Sequence, residues 1–332
     1  MEERKPIENP KREFKKLPYV TQPPDDGRIV FLHPYYDDQK GDWKLFLPVA
    51  GKLQRIKGGE PVVACYFASA PVETEDIFLP LGTLIAKHMS YQGVTGAWFN
   101  IVDKISQFAC LLEQYNILTK HRSSNGVIML GNELDYLFRL IRSFYDEMQK
   151  LIKNSAKLLV DANDRQKSLV QELPNSFADI VLYNKQIVSK QKLKAKYGLF
   201  EPLLSFYRGE AQQFKILKDA RDGLTHHGGK LPTIFDLEDG AAIDASKEPW
   251  DKFSFCSSDQ LKENGLGPLR GLFYYLVKQV LGIKSRFGKA FTSRIGFRAS
   301  PIDKNISLYL RHPFGEHINS LEDVLADPWE NV

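Results

Sequence analysis

An arginine, an aspartate and a histidine stand close together at Arg221, Asp222 and His226, and the three supply what acid–base chemistry on a phosphate needs. A guanidinium keeps its charge and offers forked donors to phosphate oxygens. An imidazole with an unperturbed pKa of about 6.5 exchanges protons at neutral pH. A neighbouring carboxylate orients the ring and favours its charged form. In an ideal helix Asp222 and His226 share a face, one turn apart, whereas Arg221 and His226 point about 140° away from each other. The two converge only if the last turn loosens, which Gly223, Gly228 and Gly229 would permit.

The same residues admit structural roles. Arg221 can bridge to a carboxylate inside a helical core, and His226 and His227 can cap the last carbonyls of the helix, where a cation gains about 0.3–1 kcal/mol. A metal site built from Asp219, Asp222 and His226 lacks an evident fourth ligand. No glycine-rich phosphate loop, dinucleotide fingerprint, HExxH helix or GxSxG elbow occurs in the chain, so neither a cofactor nor a metal is expected.

Two basic stretches suit a phosphate backbone. Lys185, Lys190, Lys192, Lys194 and Lys196 precede Tyr197; Lys278, Lys284, Arg286, Lys289, Arg294 and Arg298 are interleaved with Phe287, Phe291 and Phe297. Cations mixed with rings fit single-stranded nucleic acid, and Lys192, Lys194, Lys196, Lys284, Arg286, Lys289 and Arg294 are the candidate contacts. The alternative is a solvated helix face with its phenylalanines in the core. The acidic tail (Glu316, Glu322, Asp323, Asp327, Glu330) either shields a basic groove or is solvated. His312 and His317 read as polar surface, and His33 as packing.

These residues need a scaffold, and 332 residues suffice for one large domain or two modest ones. A net charge of +4 permits a polyanionic partner without demanding one. Cys65, Cys110 and Cys256 are scattered among apolar residues, as expected of reduced, buried thiols. Residues 1–16 do not resemble a signal peptide and no run is long enough to span a bilayer, so a cytoplasmic protein without membrane contact is expected.

Residues 1–27 read as a flexible, proline-rich tail and residues 28–90 as a small β-rich unit, with strands expected at 29–32, 43–47 and 62–67. The period then becomes helical. One apolar stripe joins Trp98, Val102, Ile105, Phe108, Leu112 and Tyr115. A second, starting near Asn132 and Glu133 after a loop at 123–126, joins Leu134, Leu137, Ile141, Phe144, Met148 and Leu151. A third helix opens at Pro174 and runs on into the first lysine stretch. A fourth starts at Pro202 and ends at Gly228-Gly229; a fifth covers about 266–287. Residues 231–260 form an irregular insertion with a hairpin near Asp239-Gly240. Residues 293–332 hold a short β segment and the acidic tail. The expected class is α+β, mainly α, with a helical bundle over 91–292 between β-rich extensions.

Arg221, Asp222 and His226, at the end of a late bundle helix, resemble the motif of the HEPN superfamily: an arginine, a polar residue, then a histidine after four to six intervening positions. The resemblance covers the helical middle section alone. It implies metal-independent RNA cleavage, with His226 as acid or base, Arg221 stabilising the phosphorane and Asp222 orienting a partner. It also implies RNA as a partner, a homodimer that joins two motifs, and an enzyme of toxin or defence type with a protein antitoxin or defence partner. The other member type is a catalytically silent dimerisation or partner-binding module.

Overall fold

The computed structural model describes residues 14, 16, 17, 19–21, 33–49, 52–56, 61–88, 92–120, 124–159, 164–226, 232–292, 300 and 302–329. The strand expected at 29–32, most of the expected tail, His227, Arg294 and Arg298 lie outside these residues. The fold is α+β and mainly α. It divides into two compact units, Met1–Phe99 with Gly296–Glu316, and Asn100–Ile295 with His317–Val332.

The first unit is built on a mixed sheet. Its strands are β1 (Tyr35–Asp37), β2 (Asp42–Val49), β3 (Lys52–Ile56), β4 (Ala64–Ala68), β5 (Ile77–Phe78) and, from the far end of the chain, one strand over Ser307–Arg311. That last strand pairs antiparallel with both β4 and β5, Leu308 opposite Phe67 and Leu310 opposite Ile77. The segment 293–332, read from sequence as a separate extension, is therefore split: its strand completes the first sheet, while its tail belongs to the second unit. Backbone pairing explains this, since β4 would otherwise lack a neighbour on one side and β5 would have none in the sheet. The helix α1 (Pro80–His88) carries Gly82, where an added Cβ would stand 2.4 Å from the Trp98 ring. This close approach ties the start of the next helix, α2 (Gln92–Lys120), to the first unit.

The second unit holds α2 from Asn100 onward and most of the other helices. The predicted stripe of α2 is buried from Trp98 to Tyr115, and that of α3 (Ser124–Asn154) from Leu134 to Leu151. The helix α3 begins well before Asn132, because one turn of small and apolar residues around Gly126 costs too little to stop it. The expected third helix is interrupted. After α4 (Asp164–Gln171) comes a five-residue helix α5 (Phe177–Val181), then a two-stranded hairpin β6 (Leu182–Tyr183) and β7 (Gln186–Ile187), and only then α6 (Lys190–Tyr197). Asn184 and Lys185 turn the hairpin at φ 47° and 64°, the left-handed pair that a tight hairpin requires. Ser189 caps α6 by accepting from the Lys192 backbone N–H, and Gly198 closes it at φ 60°.

The fourth helix is α7 (Glu201–His226). The hairpin near Asp239-Gly240 is present as β8 (Ile234–Leu237) and β9 (Gly240–Asp244), joined by β10 (Leu266–Pro268). Thereafter α8 (Leu269–Thr292) carries a stripe buried from Leu269 to Phe287, followed by β11 (Ser307–Arg311), α9 (Glu316–Asn319) and α10 (Leu321–Ala326). Aromatic pairs bind the helices together: Phe108 to Phe144, Tyr115 to Phe273, Phe177 to Phe214 and Phe206 to Phe287, with ring centroids 4.9–6.0 Å apart. Among the described residues no helix is long and apolar enough to cross a membrane.

Candidate functional site

The last two turns of α7 carry the site. Asp222 Oδ1 accepts Arg221 Nε at 3.1 Å and also Arg221 Nη2, while Asp222 Oδ2 accepts the Lys218 ammonium from one turn earlier. Burial alone would push the Asp222 carboxyl up; the hydrogen bonds from Lys218 and Arg221 outweigh it and hold the group below the ordinary aspartate value. Asp222 is thus a fixed anion between two cations.

Neighbouring residues open onto different spaces. Arg221, whose side chain is 15% exposed, lines a nearly closed seam against Phe138, Ile141 and Tyr145 of α3. Asp222 faces a hollow of about 440 Å³ walled by Lys185, Lys218, Asp219, Gly223, Glu248 and Lys252. The lysines there meet acids, Lys218 on Asp222 and Lys252 on Glu248. The helix is unbroken to His226, so positions 221 and 226 stay on faces about 140° apart. The loosened last turn that the glycines would permit is not formed. His226 is the final helical residue, one turn after Asp222; its side chain lies outside the described residues.

No protein-family model matches this chain, and neither does a curated protein or a solved structure. The site is therefore read from its own geometry.

The candidate nucleic-acid contacts separate into two groups. Lys192, Lys194 and Lys196 are exposed on α6, and the Lys196 ammonium stands 4.8 Å from the Tyr197 ring centre. On α8 the stretch is largely taken up by the fold. Arg286 grips Glu210 of α7, a carboxylate only 3% exposed, through Nε and, at 3.0 Å, through Nη2. Burial pulls the Lys284 ammonium down to about 8, Lys278 pairs with Glu322 of the acidic tail, and Phe287 is fully buried. Arg286 itself is 48% exposed outside its contact with Glu210, and Lys289 is exposed. Asp219 takes the Lys215 ammonium, and among the described residues no three His, Cys, Asp or Glu side chains cluster closely enough to hold a metal ion.

Two histidines are not the polar surface they were read as. His312, in the first unit, and His317, in the second, are both buried. His317 Nε2 stands 2.8 Å from Glu113 Oε2, and its Nδ1 faces the Tyr274 hydroxyl at 3.4 Å. Tyr274 is itself sealed in the core, its hydroxyl pushed up by burial, so the group ties the tail down and offers no access to a substrate. The three cysteines form no disulfide and are half-buried rather than fully buried, and burial raises each thiol, the opposite of nucleophile activation. Sequence reasoning missed the hairpin β6–β7 with its exposed Tyr183; its signal was the Asn-Lys pair between two alternating dipeptides.

Proposed function

We propose that this chain acts on RNA as a metal-independent endoribonuclease of toxin or defence type, working in the cytoplasm as a HEPN-like homodimer with a protein antitoxin or defence partner. The observation that carries the reading is the Asp222 carboxylate, which holds the Arg221 guanidinium at the end of a bundle helix, one turn before His226 and beside a hollow of about 440 Å³. In the reaction a base takes the proton from a ribose 2′-OH and the oxygen attacks the adjacent phosphorus. The bond to the 5′-oxygen breaks, that oxygen gains a proton, and a 2′,3′-cyclic phosphate remains. His226 of one protomer serves as acid or base. Arg221 of the other, oriented by Asp222, stabilises the phosphorane charge across the dimer, since the two groups of a single protomer lie on faces about 140° apart.

A second reading, a catalytically silent partner-binding or dimerisation module, is favoured by two observations. Arg221 is mostly covered and already engaged, and α3 exposes Ile128, Met129 and Tyr136, an apolar run suited to a partner surface.

Labelled RNA incubated in EDTA with the parent protein, Arg221→Ala and His226→Ala separates the two. The nuclease reading expects cleavage that survives chelation and falls by about 100-fold or more in each variant. Absence of cleavage by a folded parent, or equal cleavage by all three proteins, removes it.

A further inference from the structure

We infer that the hairpin β6–β7 guides single-stranded RNA from α6 to the hollow at Asp222, with Tyr183 as the platform on which an unpaired base stacks. The inference rests on the RNA-acting reading above and names the path its substrate takes.

One small element borders two hollows. Tyr183 and Gln186 line a groove of about 710 Å³ together with Lys192 and Lys196 of α6. Lys185, at the tip of the same hairpin, lines the hollow that contains Lys218 and Asp222. The hairpin is therefore a shared wall between a basic groove and the candidate centre.

Three features of that wall suit a polynucleotide. Tyr183 is 69% exposed, so its ring is presented to solvent instead of packing, and a flat exposed face beside cations is what base stacking uses. Lys192 and Lys196 are four residues apart on α6 and share a face. The groove sets them against one carboxylate, Asp179, and neither Lys185 nor Lys192 makes an ion pair among the described residues. Their near neighbour Lys190 does, with Glu201. Finally, Lys185 takes the second central position of the hairpin turn, at φ 64°, and that turn sets it on the rim of the Asp222 hollow. Stacking on Tyr183 requires an unpaired base, which selects a single strand over a duplex.

The test is fluorescence anisotropy with a fluorescein-labelled 2′-O-methyl oligouridylate of about 12 nucleotides. This probe has no free 2′-hydroxyl to attack, so binding is read apart from cleavage. The full chain is compared with Tyr183→Ala, Tyr183→Phe, Lys185→Ala and, as an exposed aromatic elsewhere, Phe78→Ala. Tyr183→Ala should weaken binding about tenfold, while Tyr183→Phe and Phe78→Ala stay within about twofold. Lys185→Ala should lower the slope of log affinity against log salt by about 0.7. Failure of the parent to bind, parent-like binding by Tyr183→Ala, equal affinity for a duplex of the same length, or equal competition by polyglutamate each overturn the inference. If Tyr183-dependent binding is found without cleavage of ordinary RNA, the guiding wall stands and the nuclease reading falls. If RNA is cleaved equally by the parent, Tyr183→Ala and Lys185→Ala, the nuclease reading stands and the guiding wall falls.

Discussion

The helix α6 leaves Lys192, Lys194 and Lys196 in solvent, whereas α8 binds Arg286 to a covered carboxylate, draws Lys284 inward and sinks Phe287 into the core. Both helices combine lysines with aromatic neighbours and both suit a phosphate backbone by composition. They differ in length and in what they cover. The eight-residue α6 buries little beyond Leu193 and Tyr197, so its cations stay in solvent, with Lys190 paired to Glu201 and Asp179 lining the same groove as Lys192 and Lys196. The 24-residue α8 packs against several helices, and its basic residues fall beside groups that the core must neutralise. A positive charge within reach of a buried carboxylate is drawn to it; one on a short outer helix remains available for a ligand.

The contrast can be broken at several points. Phe287→Ala should cost about 3–5 kcal/mol in denaturant unfolding, because it empties a filled position in the core, while Tyr183→Ala should stay within about 0.5 kcal/mol. Arg286→Ala should cost about 2–4 kcal/mol, since it strands the Glu210 carboxylate without its counter-charge, and Glu210→Gln should restore part of that loss in the double variant. Equal stability of the Arg286 variant and the parent would show that the pair contributes nothing.

Lys284 gives a test by pH. Its folded pKa, pulled down to about 8 by burial, lies below the 10.5 of the free side chain, so the unfolded chain binds the extra proton between these values. Stability from this group therefore rises with pH from about 8 to about 10.5, and the full penalty persists at every lower pH. Lys284→Met should raise stability at pH 7 by on the order of 2 kcal/mol, and the parent's rise across that interval should flatten in the variant. The smallest effect is expected on α6: Lys192→Ala should move the unfolding midpoint by less than about 0.5 kcal/mol. A larger loss would place Lys192 among the structural cations and erase the contrast with α8.

Legibility followed the range of the interaction. The stripes of α2 and α3, the turn at Asp239-Gly240 and the helical approach to Arg221 are local patterns, and each stands where its period or turn residues place it. At the candidate site, the pairing of Asp222 with Lys218 and Arg221 follows from helix spacing and adjacency. The short hairpin β6–β7 was harder to read, because a helical stretch on either side hides four strand residues. The burial of Arg221 against Phe138 and Ile141 was not readable either, because α3 approaches from elsewhere in the chain.

What the residues determined by themselves is the run of helices and strands and the close set of Arg221, Asp222 and His226 on one helix, because these depend on propensity and spacing over a few turns. Tertiary structure alone decided that Ser307–Arg311 completes a sheet begun more than two hundred residues earlier, that Glu210 claims Arg286, and that Lys185 reaches the rim beside Asp222. Such pairings join groups far apart along the chain, and whether a charge is buried, paired or left for a ligand depends on which surfaces meet when the helices pack.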